Sequence, residues 1–289
     1  MSRPSHVLIE IGFEELQVSV VETFYAQGPG LIKKILETYR LDFKQIFLEA
    51  TPRRLAFFVE ELAPRQREEK TTALGPSQDK AYDAEGKPTP ALEGFLKSRG
   101  AKLEEIQIKE TPRGRYVALE KTQKGESTLK LLPRLIPEFF HCFSFPKTMR
   151  WEKTGFKFPR PLRWAVVIYG RKTVKFPLAG IKTGNVSFGH RFLSKRPLVF
   201  TKADWKEYTK KLKANHVVLS LKEREGMILK ELQKKYNQKD ADLDLLREAA
   251  QLVEEPFLIQ GKFSETFREL PEEVLATCMK KYQKIFACR

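Results

Sequence analysis

The sequence predicts an α+β fold, two or more small mixed domains in which antiparallel-rich sheets pack against helices. Three observations predict it. The chain opens with the pattern strand, helix, strand, strand; a second pair of alternating runs reads as a hairpin; and 289 residues, 41% hydrophobic and 11% aromatic, are enough to bury the cores of about two domains.

The elements follow in order. "HVLIEIGF" (6–13) is an apolar, β-branched run and reads as a buried strand. "EELQVSVVETFYAQGPGLIKKILETYRL" (14–41) has helical apolar spacing, with "GPG" at 28–30 expected to split it in two. "QIFLEATPRRLAFFVEELA" (45–63) reads as strand, turn at Thr51-Pro52, strand. Such an opening suggests helices on one face of an antiparallel sheet. From Pro64 the chain turns polar and rich in Gly, Pro and charge, a loop-rich excursion to about residue 125. Within it "PALEGFLKSRG" is a short helix closed by Gly100, and "IQIKETPRGRYVALEKT" a hairpin whose Gly114 supplies a positive φ. "STLKLLPRLIPEFFHCF" is a helix that Pro133 and Pro137 are expected to bend or break.

Beyond residue 160, "RWAVVIYG", "KTVKFPLAGIKTGN" and "GHRFLSKRPLVF" read as strands, and "KADWKEYTKKLKA", "LKEREGMILKELQKKYN" and "DADLDLLREAAQLVE" as helices. "FLIQGKF" (257–263) reads as a strand and "PEEVLATCMKKYQKIF" (271–286) as a helix with Pro271 in its first turn. The expected organisation is a first α+β domain over 1–150, carrying the excursion at 64–125, and a second over 151–289, with the boundary near 145–155.

Charge narrows the function. Fifty-three basic residues stand against 37 acidic ones, a net +16, which points to nucleic acid or an anionic surface. No apolar run approaches the roughly 20 residues of a membrane span. The N-terminal "MSRPSHVLIEIGF" has no small-residue cleavage site, so neither a membrane partner nor a signal peptide is expected. Cys142, Cys278 and Cys288 lie far apart without a CxxC pair, which fits reduced, dispensable thiols in the cytoplasm rather than zinc or disulfides. Catalytic signatures are absent: no Walker loop, GxGxxG, GxSxG or HExxH. Glu10, Glu14 and Glu15 in "EIGFEEL" suit either partners of a helix N-terminus or acid–base and Mg²⁺ chemistry. Glu254 and Glu255, before Pro256, read as a helix end or turn. No catalytic or metal-binding residue is assigned.

Four basic stretches remain as binding candidates. "TPRRLAFFV" places Arg53 and Arg54 at a turn, one of them toward solvent, as anion ligands or surface ion partners. "TPRGR" puts Arg113 and Arg115 on a hairpin tip, shaped to touch phosphate or simply to be solvated. "SFGHRF" sets His190 and Arg191 after a Gly; His190 is either a structural imidazole or a site residue. The richest stretch is "FPKTMRWEKTGFKFPRPLRW" (145–164), where Lys147, Arg150, Lys153, Lys157, Arg160 and Arg163 are opposed by Glu152 alone. Pro146, Pro159 and Pro161 predict an extended backbone that holds these cations out at intervals suited to phosphates. Trp151, Phe156 and Phe158 suit stacking on unpaired bases. Trp151 is equally a core anchor by sequence, and Trp164, inside "RWAVVIYG", reads as one.

The motifs "LIEIGFEEL", "ATPRRLA", "KTMRW", "FPRPLRW", "GHRFL", "EEPFLIQGKF" and "LPEEVLATCMKKYQKIF", in this order, resemble the β subunits of bacterial heterotetrameric glycyl-tRNA synthetases from near His6 to the last residue. One departure is Phe13 before "EELQV", where the family has Thr-Glu-Glu-Leu-Pro-Pro. The chain stops at "FACR" where the family continues into an HD-like and an anticodon-binding domain, so the resemblance implies an N-terminal portion. It also implies that the α subunit carries the class II active site, with ATP and Mg²⁺, and that no cofactor is expected in this portion. The partners it implies are the tRNA for glycine, the α subunit and a second β chain, and it suggests similarity to the body, tail and head domains of archaeal CCA-adding enzymes. The leading expectation is thus a tRNA-binding and tRNA-positioning region that is not itself catalytic. The alternatives are a module docking the α subunit or a second β chain, and, more remotely, an editing-type hydrolase.

Overall fold

The computed structural model describes residues 3–83, 85–236 and 242–287. The chain opens with β1 (Ser5–Phe13), α1 (Val18–Thr38), β2 (Gln45–Thr51) and β3 (Arg54–Leu62). Next come β4 (Glu69–Ser77), α2 (Gln78–Ala81), α3 (Pro90–Arg99), β5 (Ile106–Thr111) and β6 (Gly114–Gln123). Helix α4 (Thr128–His141) leads to the short strands β7 (Met149–Arg150) and β8 (Lys157–Phe158), then to the long β9 (Leu162–Tyr169) and to β10 (Lys172–Thr173). Two small hairpins pair β11 (Pro177–Leu178) with β12 (Ile181–Lys182) and β13 (Val186–Phe188) with β14 (Pro197–Val199). Helices α5 (Trp205–Lys213), α6 (Leu221–Tyr236), α7 (Leu243–Gln251) and α8 (Glu272–Thr277) follow.

The predicted α+β class holds, with antiparallel strand pairing in every named ladder. The chain divides into two compact units, 65–127 and the remainder. The smaller unit is a three-stranded sheet ordered β4-β6-β5 with α3, whose Leu92 is buried beside Ala81 and Val117. The excursion expected to be loop-rich therefore has its own sheet and small core. As predicted, α3 ends at Gly100 in the left-handed region (φ 54°), and Gly114 (φ 114°) closes the β5–β6 hairpin. The boundary expected near 145–155 does not divide these units. Strand β9 hydrogen-bonds to β1 across its length, so the second half of the chain completes a sheet begun by the first.

That sheet, ordered β10-β9-β1-β3-β2, is the centre of the larger unit. Alternation sends Val7, Ile9, Ile11 and Phe13 of β1 to one face with Leu55, Phe57 and Val59 of β3 and Ala165 and Val167 of β9. Helices α1 and α4 cover that face through Val21, Phe24, Ile32, Leu135 and Phe139. The opposite face presents Leu8, Ala56, Phe58, Trp164, Val166 and Ile168 to Leu198, Phe200, Tyr208 and Leu212 from β14, α5 and the segment joining them. Helices thus cover both faces, not the one expected. This double burial is why "HVLIEIGF" reads as a continuous apolar run rather than an alternating one.

Several local expectations are overruled by packing. Helix α1 runs unbroken through Pro29, and α4 through Pro133 and Pro137. Each proline removes one helical hydrogen bond, but the buried faces of both helices outweigh the loss. "FLIQGKF" forms no strand, and Phe257, Ile259 and Phe263 are exposed. The predicted last helix is only α8 plus one π-type turn, Cys278–Tyr282. Cys142 and Cys278 are exposed free thiols, and Cys288 lies outside the described residues. Both described thiols should label fully in the native protein, and serine at either should change stability by no more than about 0.5 kcal/mol. Protection of either thiol until the protein is denatured would contradict this placement.

Candidate nucleic-acid interface

In the larger unit the interface candidates fall into three environments, one of them fully buried. Arg54 begins β3 and points to the second face of the sheet, where it has no exposed surface. Its Nη1 donates to Glu10 Oε1 at 3.2 Å and to the Phe188 carbonyl at 2.8 Å, and its Nε to Glu254 Oε1 at 3.0 Å. Glu10, in the middle of β1, also accepts from Trp164 Nε1 (2.7 Å), Ser187 Oγ (2.7 Å) and Tyr208 Oη (2.8 Å). Thr51 Oγ1 donates to Glu254 Oε1 at 2.7 Å. Burial alone would lower the Arg54 pKa; the Glu254 and Glu10 carboxylates outweigh it and hold the guanidinium above its ordinary value. Burial, then Glu10, pushes the Tyr208 phenol well up. Arg54 is therefore an internal cross-link and cannot meet an external anion, which corrects its place among the binding candidates. Glu10 is correspondingly neither a helix-terminus partner nor a free acid. Glu254 lies just beyond the end of α7, as the helix-end reading expects, and is buried as well.

The second environment is a mixed-charge surface beside Trp164. Arg53 is half-buried over the Trp164 ring, 5.8 Å from its centroid. Burial lowers its pKa, and Arg191 and Arg54 add to the effect. Arg163 donates to Glu14 Oε1 at 2.5 Å, Arg191 Nη1 lies 3.8 Å from Glu14 and 3.9 Å from Glu15, and Arg160 Nε donates to the Glu15 carbonyl at 3.0 Å. His190 Nδ1 accepts from the backbone N–H groups of Phe192 and Leu193, both at 3.3 Å, which orders the "GHRFL" turn. These residues are brought together, but local acids engage Arg163 and Arg191. In the other compact unit, Arg113 is exposed at its hairpin tip and Arg115 pairs with Glu110 at 3.0 Å. Residues 65–127 hold 13 basic and 11 acidic side chains, so nearly all of the net +16 lies elsewhere.

The third environment is the hairpin β7–β8. It is not the extended rod that its prolines suggest: Gly155 (φ 81°) helps reverse the chain, and Arg150 sits directly opposite Lys157. Lys147, Arg150, Lys153 and Lys157 are all exposed, and none has an ion-pair partner among the described residues. Glu152 does not answer them, because its carboxylate accepts from Thr154 N (2.6 Å) and Oγ1, interactions that lower its pKa. Phe158 is buried against Phe140, Phe145 and the stacked Phe13, so it is a core residue and not a base-stacking platform, while Phe156 packs on Phe158 and keeps 8% of its surface exposed. Trp151 stays 38% exposed while its indole N–H donates to the Phe158 carbonyl at 2.8 Å. It is pinned through its N–H and remains partly exposed.

Sequence reasoning passed over Arg224, which is buried and donates to the Ala250, Val218, Leu219 and Ala50 carbonyls at 2.7–3.0 Å. No local pattern distinguishes it from the solvated cations of its helix. Among the described residues no group of three His, Cys, Asp or Glu side chains is arranged to hold a metal, and no helix is long and apolar enough to cross a membrane.

The geometry thus offers an unpaired basic hairpin on a rigid sheet core, and comparison with known proteins agrees with the motif order in the sequence. A family model described as the glycyl-tRNA synthetase beta subunit matches residues 7–289. Glycine–tRNA ligase beta subunits from Halothermothrix orenii, Syntrophus aciditrophicus and Thermodesulfovibrio yellowstonii are 35%, 34% and 36% identical to it, over 97–98% of this chain. The chain spans about 40% of the length of these relatives. With the match running through both compact units and every basic stretch described above, the chain belongs to the glycyl-tRNA synthetase beta subunit family.

Proposed function

We propose that this region binds and positions the tRNA for glycine, for a glycylation reaction whose ATP- and Mg²⁺-dependent chemistry resides on the α subunit. The observation that carries the reading is the β7–β8 hairpin. Like charges directly opposite each other on paired strands repel, yet Arg150 faces Lys157 with no acid engaged by either. Lys147 and Lys153 add two more exposed, unpaired cations on the same short segment. Such a cluster is relieved by an external polyanion, and a nucleic-acid phosphate backbone is one. Trp151, held by its N–H and partly exposed on the same segment, supports stacking on a base beside them.

A second reading, association with another protein of the assembly, draws on Phe257, Ile259, Phe263, Phe267 and Leu270, each at least 45% exposed. The editing-type hydrolase finds no support among the described residues. Glu10 is sealed inside, and His190 Nδ1 is engaged by backbone N–H groups.

The test is a titration of the chain with glycine tRNA at several salt concentrations, comparing wild type with a variant carrying alanine at Lys147, Arg150, Lys153 and Lys157. The variant should bind more weakly, and its log–log salt slope should flatten by somewhat under one unit, about 0.7–0.9, for each phosphate the hairpin no longer neutralises. Its stability should be nearly unchanged, since exposed charges contribute about 0–1 kcal/mol each. Equal slopes for the two proteins would show that the hairpin does not meet phosphate.

A further inference from the structure

A concave groove of about 840 Å³ adjoins the basic hairpin, within the size range of small-ligand sites. Its floor is apolar, with Phe156, Phe176 and Leu178 exposing little surface, and its rim carries His141, Lys175 and Lys182. No acidic residue is among its lining residues, and Lys175 and Lys182 are exposed without an ion-pair partner among the described residues. A second cleft, of about 360 Å³ beside α5, is different in kind. It holds Glu49 and Glu223 beside Lys210 and Lys213, and Lys213 is paired with Glu223.

The groove is built rather than incidental. Its outer wall is the β11–β12 hairpin, whose turn residues Ala179 (φ 46°) and Gly180 (φ 79°) both adopt the left-handed conformation that suits a two-residue reversal. The Glu152 side chain packs against Gly180, where a Cβ would lie 3.2 Å from its Cγ. The turn of the basic β7–β8 hairpin therefore abuts this wall, and Thr154 and Gly155 line the groove itself. The carboxylate of Glu152, which packs on that wall, is held by Thr154. The His141 ring lies 5.1 Å from that of Phe156, an aromatic pair at the groove edge. An apolar slot whose charged lining side chains are the lysines Lys175 and Lys182, opening from a row of unpaired cations, matches a ligand that is flat and apolar at one end and anionic at the other.

We propose that this groove takes an unpaired nucleotide of single-stranded RNA, its base against the His141–Phe156 edge and the apolar floor, its flanking phosphates on Lys175 and Lys182. The assignment rests on the RNA-binding reading and extends it from backbone attraction to a base subsite. An unpaired base is the part of an RNA that can leave its own stack for a protein surface.

The test uses the full chain and a 12-nucleotide single-stranded RNA with one 2-aminopurine, beside the same RNA abasic at that position. Binding should change the 2-aminopurine fluorescence, and the abasic RNA should bind about tenfold more weakly. Alanine at both Lys175 and Lys182 should reduce the salt slope by about 1.4, two single-strand phosphates, independently of the β7–β8 variant. Equal affinity for intact and abasic RNA with unchanged fluorescence, while wild type still binds salt-dependently, would overturn the subsite and leave the RNA reading standing. Wild type that binds no RNA at all would overturn both. A Lys175→Ala/Lys182→Ala protein that loses association with the α subunit but binds RNA with the wild-type slope would assign the groove to an acidic protein segment and likewise overturn the subsite.

Discussion

Replacing Arg54 with alanine destabilises the protein by about 3–5 kcal/mol, measured as the shift in its urea unfolding midpoint multiplied by the transition slope. The magnitude follows from what remains. Glu10 and Glu254 stay fully or almost fully buried, with 0% and 4% of their surface exposed, and lose the cation that both face at 3.0–3.2 Å. Replacing both members of a pair costs less than stranding one, so Arg54→Met combined with Glu254→Gln should be milder than the sum of the single changes. A loss below about 1 kcal/mol for Arg54→Ala would mean that the site is solvated and that the network is not a cross-link. The consequence is architectural: through Glu10, Arg54 and Glu254, strand β1, strand β3 and the segment after α7 are tied at one point.

Replacing Trp164 with alanine costs a similar amount, about 3–5 kcal/mol, for a different reason. The ring is 8% exposed and lies flat across Gly12, where a Cβ would come within 2.0 Å of it, so the glycine is the space the indole occupies. Removing the ring leaves a cavity against Phe188, whose ring meets it edge-on at 5.2 Å, and takes one of four donors from buried Glu10. Trp164→Phe separates the two effects. It refills most of the volume but not the 2.7 Å hydrogen bond, and should recover more than half of the loss. If phenylalanine were as damaging as alanine, the N–H and not the packing would be the dominant contribution. Neither substitution removes an exposed cation of the β7–β8 hairpin, so on the proposed tRNA-binding function variants that remain folded should keep the wild-type salt slope.

The α+β class, the strand identities of β1, β2, β3 and β9, the β5–β6 hairpin and the end of α3 at Gly100 were all legible in the sequence, because each depends on short-range periodicity or on one residue's backbone freedom. So were the excess of positive charge and the motif order that places the chain in its family, which need no coordinates. What only the tertiary structure decided is which charges face water. Arg53 and Arg54 are neighbours, yet one lies half-open over an indole and the other is sealed between two carboxylates from positions 10 and 254. Those partners come from elements about 245 residues apart, so no local pattern announces them. The same holds for Arg160 and Arg163, engaged by Glu15 and Glu14 across the fold, and for Lys175 and Lys182, which gain meaning only where the β11–β12 wall meets the β7–β8 turn. An ionic side chain reads the same in any sequence. Its role is set by the desolvation and the counter-charges that the folded chain brings to it.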